Sequence, residues 1–238
     1  MQTLHIPERE ERFSAMTEIL SVAFRSRFRV LDIGCGTGSL SERVLARCPG
    51  ARVVAMDHDP VLLAIGRHGL GSVRGRMTWV DTDLRAPDWG RGLPAGRFDA
   101  AVSTTALHWL KPPELRRFYR GLGRRLRPGA LFLNGDSLPA HPAGRGRIAR
   151  LAREIRHRRA RTPESADARS WSEWWREVSK EPGLAAEWAE HERRYPHAHG
   201  DDPASGLGLH HRALRSAGFH EVGVLWQNLD DRVLVAVR

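Results

Sequence analysis

Apolar positions along the chain follow two alternating rhythms. Between residues 8 and 25, Phe13, Met16, Leu20, Ala23 and Phe24 recur at helical spacing, which predicts an amphipathic helix. RFRVLDI (27–33) is a nearly continuous apolar run, the pattern of a strand buried on both faces. Ser39 to Arg47 has helix character, and Pro49-Gly50 stops it. The alternation then repeats. ARVVAMD (51–57) predicts a strand, Pro60 starts a helix over Val61–His68, and RMTWVDTD (76–83) and FDAAVSTT (98–105) predict two further strands. Pro112-Pro113 opens a helix through Arg125, and Pro128-Gly129 turns the chain into ALFLNGD (130–136).

The rhythm changes after residue 139. Residues 140–205 contain no convincing strand. Ile148, Leu151, Ala152 and Ile155 predict one apolar helix face, and Trp171, Trp174, Trp175 and Val178 another. LHHRALRSAGF (209–219) then predicts a helix ended by Gly218, followed by strands GFHEVGVLW (218–226) and DRVLVAVR (231–238). The expected fold is α/β: a mostly parallel, seven-stranded, doubly wound, Rossmann-like sheet. Residues 1–139 and 206–238 form that domain, and 140–205 are a helical insertion placed before the last helix and two strands.

Length and composition narrow the classes. The 238 residues suit one medium domain with an insertion, and 41% hydrophobic residues supply a sizeable core. No apolar run approaches the length of a membrane span, and MQTLHIPEREERF lacks the apolar stretch of a secretory signal. A soluble cytoplasmic protein is the default expectation. Cys35 and Cys48 are the only cysteines, too few for a disulfide scaffold or a cysteine-built zinc site. The net charge of +10 would suit a nucleic-acid partner, but only Lys111 and Lys180 among the 38 basic residues are lysines. An arginine-, alanine- and glycine-rich composition follows from GC-rich coding, so the charge is a weak signal of a partner.

The most informative segment is Asp32-Ile33-Gly34-Cys35-Gly36-Thr37-Gly38. A strand ends in an acid and alternating glycines, and a helix follows. Glycine permits a tight turn and close approach of a ligand to the main chain, and the helix N-terminus offers free N–H groups. Asp57 ends the second strand, at the position whose acid accepts ribose hydroxyls in nucleotide-binding βαβ units. The spacing is D-x-G-x-G-x-G rather than the dinucleotide G-x-G-x-x-G, which disfavours an NAD-dependent dehydrogenase.

VLDIGCGTG, VVAMDHD, DTDLRAP, RFDAAVSTTALHWL and RRLRPGALFLNGD occur in an order that resembles the class I S-adenosylmethionine-dependent methyltransferases. The ALHWL stretch is most similar to small-molecule enzymes of the trans-aconitate and malonyl-carrier-protein type. This resemblance implies S-adenosylmethionine as cofactor. Asp32 would orient the methionine amino group, and Gly34, Gly36 and Gly38 would line the methionine–ribose channel. Asp57 would bind the ribose hydroxyls, with His58 beside the adenine. Asp83 would accept from the adenine amino group and Leu84 would face the ring, while Ser103 and Thr104 would flank the sulfonium end. The family's usual Gly-Asp is Thr82-Asp83 here, so Asp81 is the alternative to Asp83.

A sulfonium methyl is already activated, so a base is needed only for an acceptor that arrives protonated. His108 follows the fourth strand and is the first candidate; its competing role is to pack with Trp109 as a pocket wall. His197 and His199 lie in a second cluster, Glu190 to Asp202, with His210 and His211 nearby. On an extended segment these two histidines point the same way. They could serve the acceptor site, or with Asp201 or Asp202 hold a divalent metal, although a solvated loop is the simpler reading and no metal ligand is assigned.

Trp171, Trp174, Trp175 and Trp188 suit a small helical core or, in part, an aromatic substrate pocket. Residues 145–161 hold eight arginines opposed only by Glu154, a face that could grip phosphate, but 162–205 return ten acids against five bases. The expected partner is a small molecule acted on in secondary metabolism, without a membrane. The alternatives are a methyltransferase for RNA or another macromolecule that uses the arginine-rich insertion, and a cofactor-binding protein that transfers no methyl. The oligomeric state is not legible.

Overall fold

A computed structural model describes residues 9–139, 146–159, 171–196 and 205–238. Its centre is a seven-stranded sheet: β1 (Phe28–Ile33), β2 (Ala51–Asp57), β3 (Met77–Asp81), β4 (Phe98–Thr104), β5 (Leu126–Ser137), β6 (Glu221–Asn228) and β7 (Asp231–Val237). The spatial order is β3-β2-β1-β4-β5-β7-β6. Strands β1 to β5 pair in parallel, and β7 runs antiparallel between β5 and β6. The sheet is therefore mostly parallel and doubly wound, as its rhythm predicts.

The continuous apolar runs are explained by two separate cores, one on each sheet face. Val30, Val53, Ala55, Ala100, Val102 and Leu133 pack beneath α1 (Arg9–Ala23), α2 (Ser39–Arg47) and α3 (Pro60–Leu70), which contribute Phe13, Met16, Leu20, Leu40, Val44 and Leu63. Leu31, Ile33, Ala101 and Phe132 face the other way, toward α4 (Pro112–Arg125) and α8 (Leu207–Ser216), which contribute Leu115, Phe118, Tyr119, Leu122 and Leu214. Alternate residues of one strand thus serve opposite cores, because side chains on a strand alternate in direction.

Local chemistry sets the helix starts. The Asp59 carboxylate accepts from the amides of Val61 and Leu62, and Pro60 occupies the first turn of α3. Glu114 reaches back to the amide of Lys111 ahead of the prolines that open α4.

Several boundaries differ from the sequence expectation. β3 stops at Asp81, so Asp83 lies in the loop. β5 begins four residues early, at Leu126, and carries Pro128-Gly129 within it beside a register shift against β4. β6 begins at Glu221, because Gly218 at φ +88° and Phe219 belong to the turn out of α8.

Within the insertion, α5 (Arg147–Arg159), α6 (Trp171–Val178) and α7 (Ala185–Arg194) are helical. Of the apolar face expected on α5, Ile148, Leu151 and Ile155 are 67%, 54% and 40% exposed, while its fourth member Ala152 is buried together with Ala149. Small alanines allow a close approach that the branched residues would block. Among the described residues no helix is long and apolar enough to cross a membrane.

Phe132 is fully buried and meets Tyr119 edge-on at 5.5 Å. Phe132→Ala should lower unfolding stability by about 3–5 kcal/mol, measured by denaturant titration. Val22→Ala, at an exposed helix position, should change it by less than about 0.5 kcal/mol.

Candidate cofactor and acceptor site

The order of the strands reverses between β1 and β4, and in open α/β sheets ligands bind outside the strand ends at such a point. The glycine turn lies there. Gly34, Gly36 and Gly38 have φ of +65°, +55° and +83°, conformations that side chains resist. A Cβ on Gly34 would stand 2.3 Å from the Cβ of Ala106, and one on Gly38 would stand 2.6 Å from the Trp79 ring.

Two carboxylates, Asp32 and Asp57, adjoin this turn, and a third, Asp83, lies beyond β3 near His58. Asp57 accepts from the amide of Gly36 at 2.7 Å and from those of His58 and Asp59 at 2.8 and 2.9 Å. Burial holds its carboxyl above the ordinary value, against the pull of these three bonds. Asp32 is fully buried. One oxygen accepts from the Ser41 hydroxyl at 2.6 Å, and the other has no partner among the described residues. Burial pushes its carboxyl up to about 7, with the Ser41 bond opposing and the nearby Asp57 charge adding to the rise. Asp83 accepts from the backbone and side chain of Arg85 at 2.8 and 2.9 Å. Burial acts to raise its carboxyl, but the Arg85 bonds and the neighbouring His58 outweigh it and hold it below the usual range.

α7 is bonded to this edge. Arg194 makes a two-pronged contact with Asp81 at 2.8 and 2.9 Å and donates to the His58 carbonyl at 2.7 Å. His191 pairs through Nδ1 with Asp59 at 2.8 Å. Around His191, Trp175, Trp188 and Tyr195 lie with ring centres 4.7–5.2 Å away. Asp81 is thus engaged by the insertion, while Asp83 lies 3.8 Å from the His58 ring.

Beyond β4 the chain makes a single 3₁₀ turn, Leu107–Trp109. Its His108 pairs through Nδ1 with the buried carboxylate of Asp136 at 2.8 Å. Behind this pair, the Tyr119 hydroxyl meets His210 Nδ1 at 2.6 Å and Ser205 meets its Nε2 at 2.9 Å. Burial pushes His210 down to about 4.

The model of a methyltransferase domain matches residues 30–129. A trans-aconitate 2-methyltransferase of Azoarcus sp. is 28% identical over 198 residues, covering 75% of this chain and 74% of that protein. An 18S rRNA (guanine(1575)-N(7))-methyltransferase of Saccharomyces cerevisiae is 33% identical over 115 residues, covering 44% of this chain and 38% of that protein. The solved S-adenosylmethionine-dependent methyltransferase SibL in its apo form superposes over 96% of this chain with a TM-score of 0.59 and 16% identity. This chain spans 55% of SibL. Residues 30–129 carry a methyltransferase domain, and the relatives and solved structures matched along the chain support a class I S-adenosylmethionine-dependent methyltransferase.

The residues present fit the cofactor of this family. The orphaned, buried oxygen of Asp32 calls for a donor, which the ammonium of a methionine group supplies. At Gly34 and Gly38 a Cβ would collide with Ala106 and Trp79, so glycine is what lets this turn keep its shape beside Asp32 and Asp57. The structure brings Asp32, Gly34, Gly36, Gly38, Asp57, His58 and Asp83 to one edge of the methyltransferase sheet, with Leu84 half-buried against the core. Ser103 differs in detail, because its hydroxyl is spent on the Ile33 carbonyl at 2.9 Å and ties β4 to the end of β1. The hydroxyl of Thr104 is buried without a partner among the described residues.

The histidine cluster separates. His191 pairs with Asp59, and His210 is in the core, so neither belongs to a shared ligand set. His197, His199, Asp201 and Asp202 lie outside the described residues. Among the described residues, no three His, Cys, Asp or Glu side chains group closely enough to hold a metal ion. Trp174, Trp175 and Trp188 pack on one another with ring centres 4.9 and 5.8 Å apart, and His191 stacks on the last two.

Sequence reasoning missed Asp136 and Arg194. A carboxylate in the apolar run ALFLNGD was the available signal for Asp136; nothing in the sequence pairs Arg194 with Asp81.

Because its native carboxyl is raised, Asp32 in the ligand-free protein binds more protons than in the unfolded chain. Stability therefore falls as pH rises through the interval from about 4 to about 7. Asp32→Asn should flatten that dependence and stabilise the ligand-free protein at pH 8 relative to pH 4.5. Denaturant titrations of both proteins at the two pH values check it.

Proposed function

We propose that this methyltransferase transfers the methyl group of S-adenosylmethionine to an O, N or C atom of a small metabolite, in natural-product biosynthesis. The observation that carries the cofactor reading is the glycine turn where strand order reverses, with Asp57 bonded to its Gly36 amide and the buried Asp32, one oxygen unpartnered among the described residues, on the strand that leads into it. When bound, the cofactor supplies an activated methyl group. The chain's own residues bind it, exclude water and aim the acceptor.

In this reading Asp32 holds the methionine ammonium, and Gly34, Gly36 and Gly38 line the methionine–ribose channel. Asp57 accepts from a ribose hydroxyl with the one Oδ2 lone pair that its three backbone bonds leave. His58, Asp83 and Leu84 hold the adenine, and Ser103 and Thr104 border the sulfonium end. Residues 140–205 act as a lid, supported by the bonds of Arg194 and His191 to the nucleoside edge. His108 lies on the acceptor side, and His197 and His199 stay with it as candidates from sequence. A small acceptor is supported by similarity over three-quarters of the chain to a protein named for trans-aconitate.

A ribosomal RNA relative and the outward arginines of α5 favour a second reading, methylation of RNA. Methyl-labelled S-adenosylmethionine incubated with the protein and a clarified extract of the source organism separates the two. Label in the acid-soluble fraction is expected. Label in nuclease-sensitive precipitate overturns the small-metabolite reading.

Asp57→Ala should weaken binding of S-adenosylhomocysteine by about 1–3 kcal/mol, roughly 5- to 150-fold. Calorimetric titration measures it, and an unchanged affinity would remove Asp57 from the ribose site.

A further inference from the structure

We propose that His108 and Asp136 form a proton-accepting dyad, and that the acceptor is a neutral, proton-bearing nucleophile (a phenol, alcohol or amine) rather than a carboxylate. The inference rests on the methyl-transfer reading and adds the class of acceptor and a positioning residue.

Three features place the dyad beside the methyl-transfer site. Ala106, two residues before His108, is the side chain that fills the space above Gly34. Asp136 is the penultimate residue of β5, whose neighbour β4 runs into the His108 turn. Asp136 is 1% exposed, and its second oxygen has no partner among the described residues. The acid is dedicated to this spot, because burying a carboxylate is costly unless a polar partner compensates it.

The hydrogen-bond geometry decides the tautomer. Asp136 Oδ1 already accepts from the Ser137 amide at 2.9 Å and meets His108 Nδ1 at 2.8 Å. A carboxylate only accepts, so Nδ1 carries the proton and the ring's lone pair is on Nε2. A carboxylate behind a histidine also stabilises the imidazolium that forms on protonation. The other titratable groups described as reaching the pair are Tyr119 of α4 and His210 of α8. They bond to each other, and burial opposes a charge on either.

Atoms and electrons balance in a single displacement. His108 Nε2 takes the proton of the acceptor O–H or N–H. The acceptor lone pair forms the bond to the methyl carbon as the carbon–sulfur bond breaks, and those electrons remain on sulfur in the thioether product. The imidazolium returns its proton to water. A carboxylate acceptor is already ionised near neutral pH and would leave this machinery without a task.

Alkali distinguishes the acceptor classes even while the substrate is unidentified. The soluble label formed from methyl-labelled S-adenosylmethionine and extract should survive mild alkali, as ethers and methylamines do. Release as labelled methanol identifies a methyl ester and overturns the inference. If S-adenosylhomocysteine binds and no label is transferred, the methyl-transfer reading itself fails, and this inference with it.

Asp136→Asn should bind S-adenosylhomocysteine within about twofold of wild type yet turn over the alkali-stable product about 10- to 100-fold more slowly. The acid limb of its pH profile should move to lower pH, because the imidazolium loses its counter-charge. Asp136→Glu should recover part of the rate, and adding Asp136→Asn to His108→Gln should cost nothing further. Nitrogen-15 spectra of the histidine-labelled full chain, assigned by loss of a signal in His108→Gln, should show Nδ1 protonated. A wild-type profile in Asp136→Asn, or Nε2 protonated in His108, overturns the dyad.

Discussion

The hydrogen bond from the Gly36 amide to Asp57 joins the two strand ends on which the site depends. The amide belongs to the turn after β1, and the carboxylate ends β2. The same carboxylate accepts from His58 and Asp59, and Asp59 in turn caps α3. One acidic side chain thus sets the glycine turn and the exit of β2, and it holds the amide of the residue that caps α3. Burial resists its charge while three N–H groups favour it, and the bonds are short because the acceptor carries charge.

Around this node the molecule divides its acids by environment. Asp32 is buried with one oxygen unsatisfied, Asp83 is held ionised by Arg85, and Asp81 is occupied by Arg194 of the insertion. Such differences suit distinct tasks along one ligand. The contacts of α7 run to His58, Asp59 and Asp81, at or just beyond the ends of β2 and β3, whereas His108 and Asp136 lie on the side of the sheet covered by α4 and α8.

Much of the fold was legible because buried parallel strands leave continuous apolar runs, and because Pro60 and Pro112 mark helix starts. The apolar face of α5 was misread because periodicity reports amphipathicity without saying what lies opposite. Ala149 and Ala152 face inward, while the larger residues next to them are exposed. Arg194 was invisible for another reason. Among 36 arginines nothing in the local sequence marks the one that reaches Asp81 across 113 positions.

Local sequence was enough to set the succession of strands and helices, the glycine turn and the acids at the ends of β1 and β2. These features need only neighbours in the chain, because backbone conformation and strand alternation are set by residues close together. Which carboxylate meets which cation was settled by packing, which also joined His108 to Asp136 and His191 to Asp59. Those pairings are non-local. They depend on strand register and helix docking, and sheet register is specified only when distant apolar faces pack together.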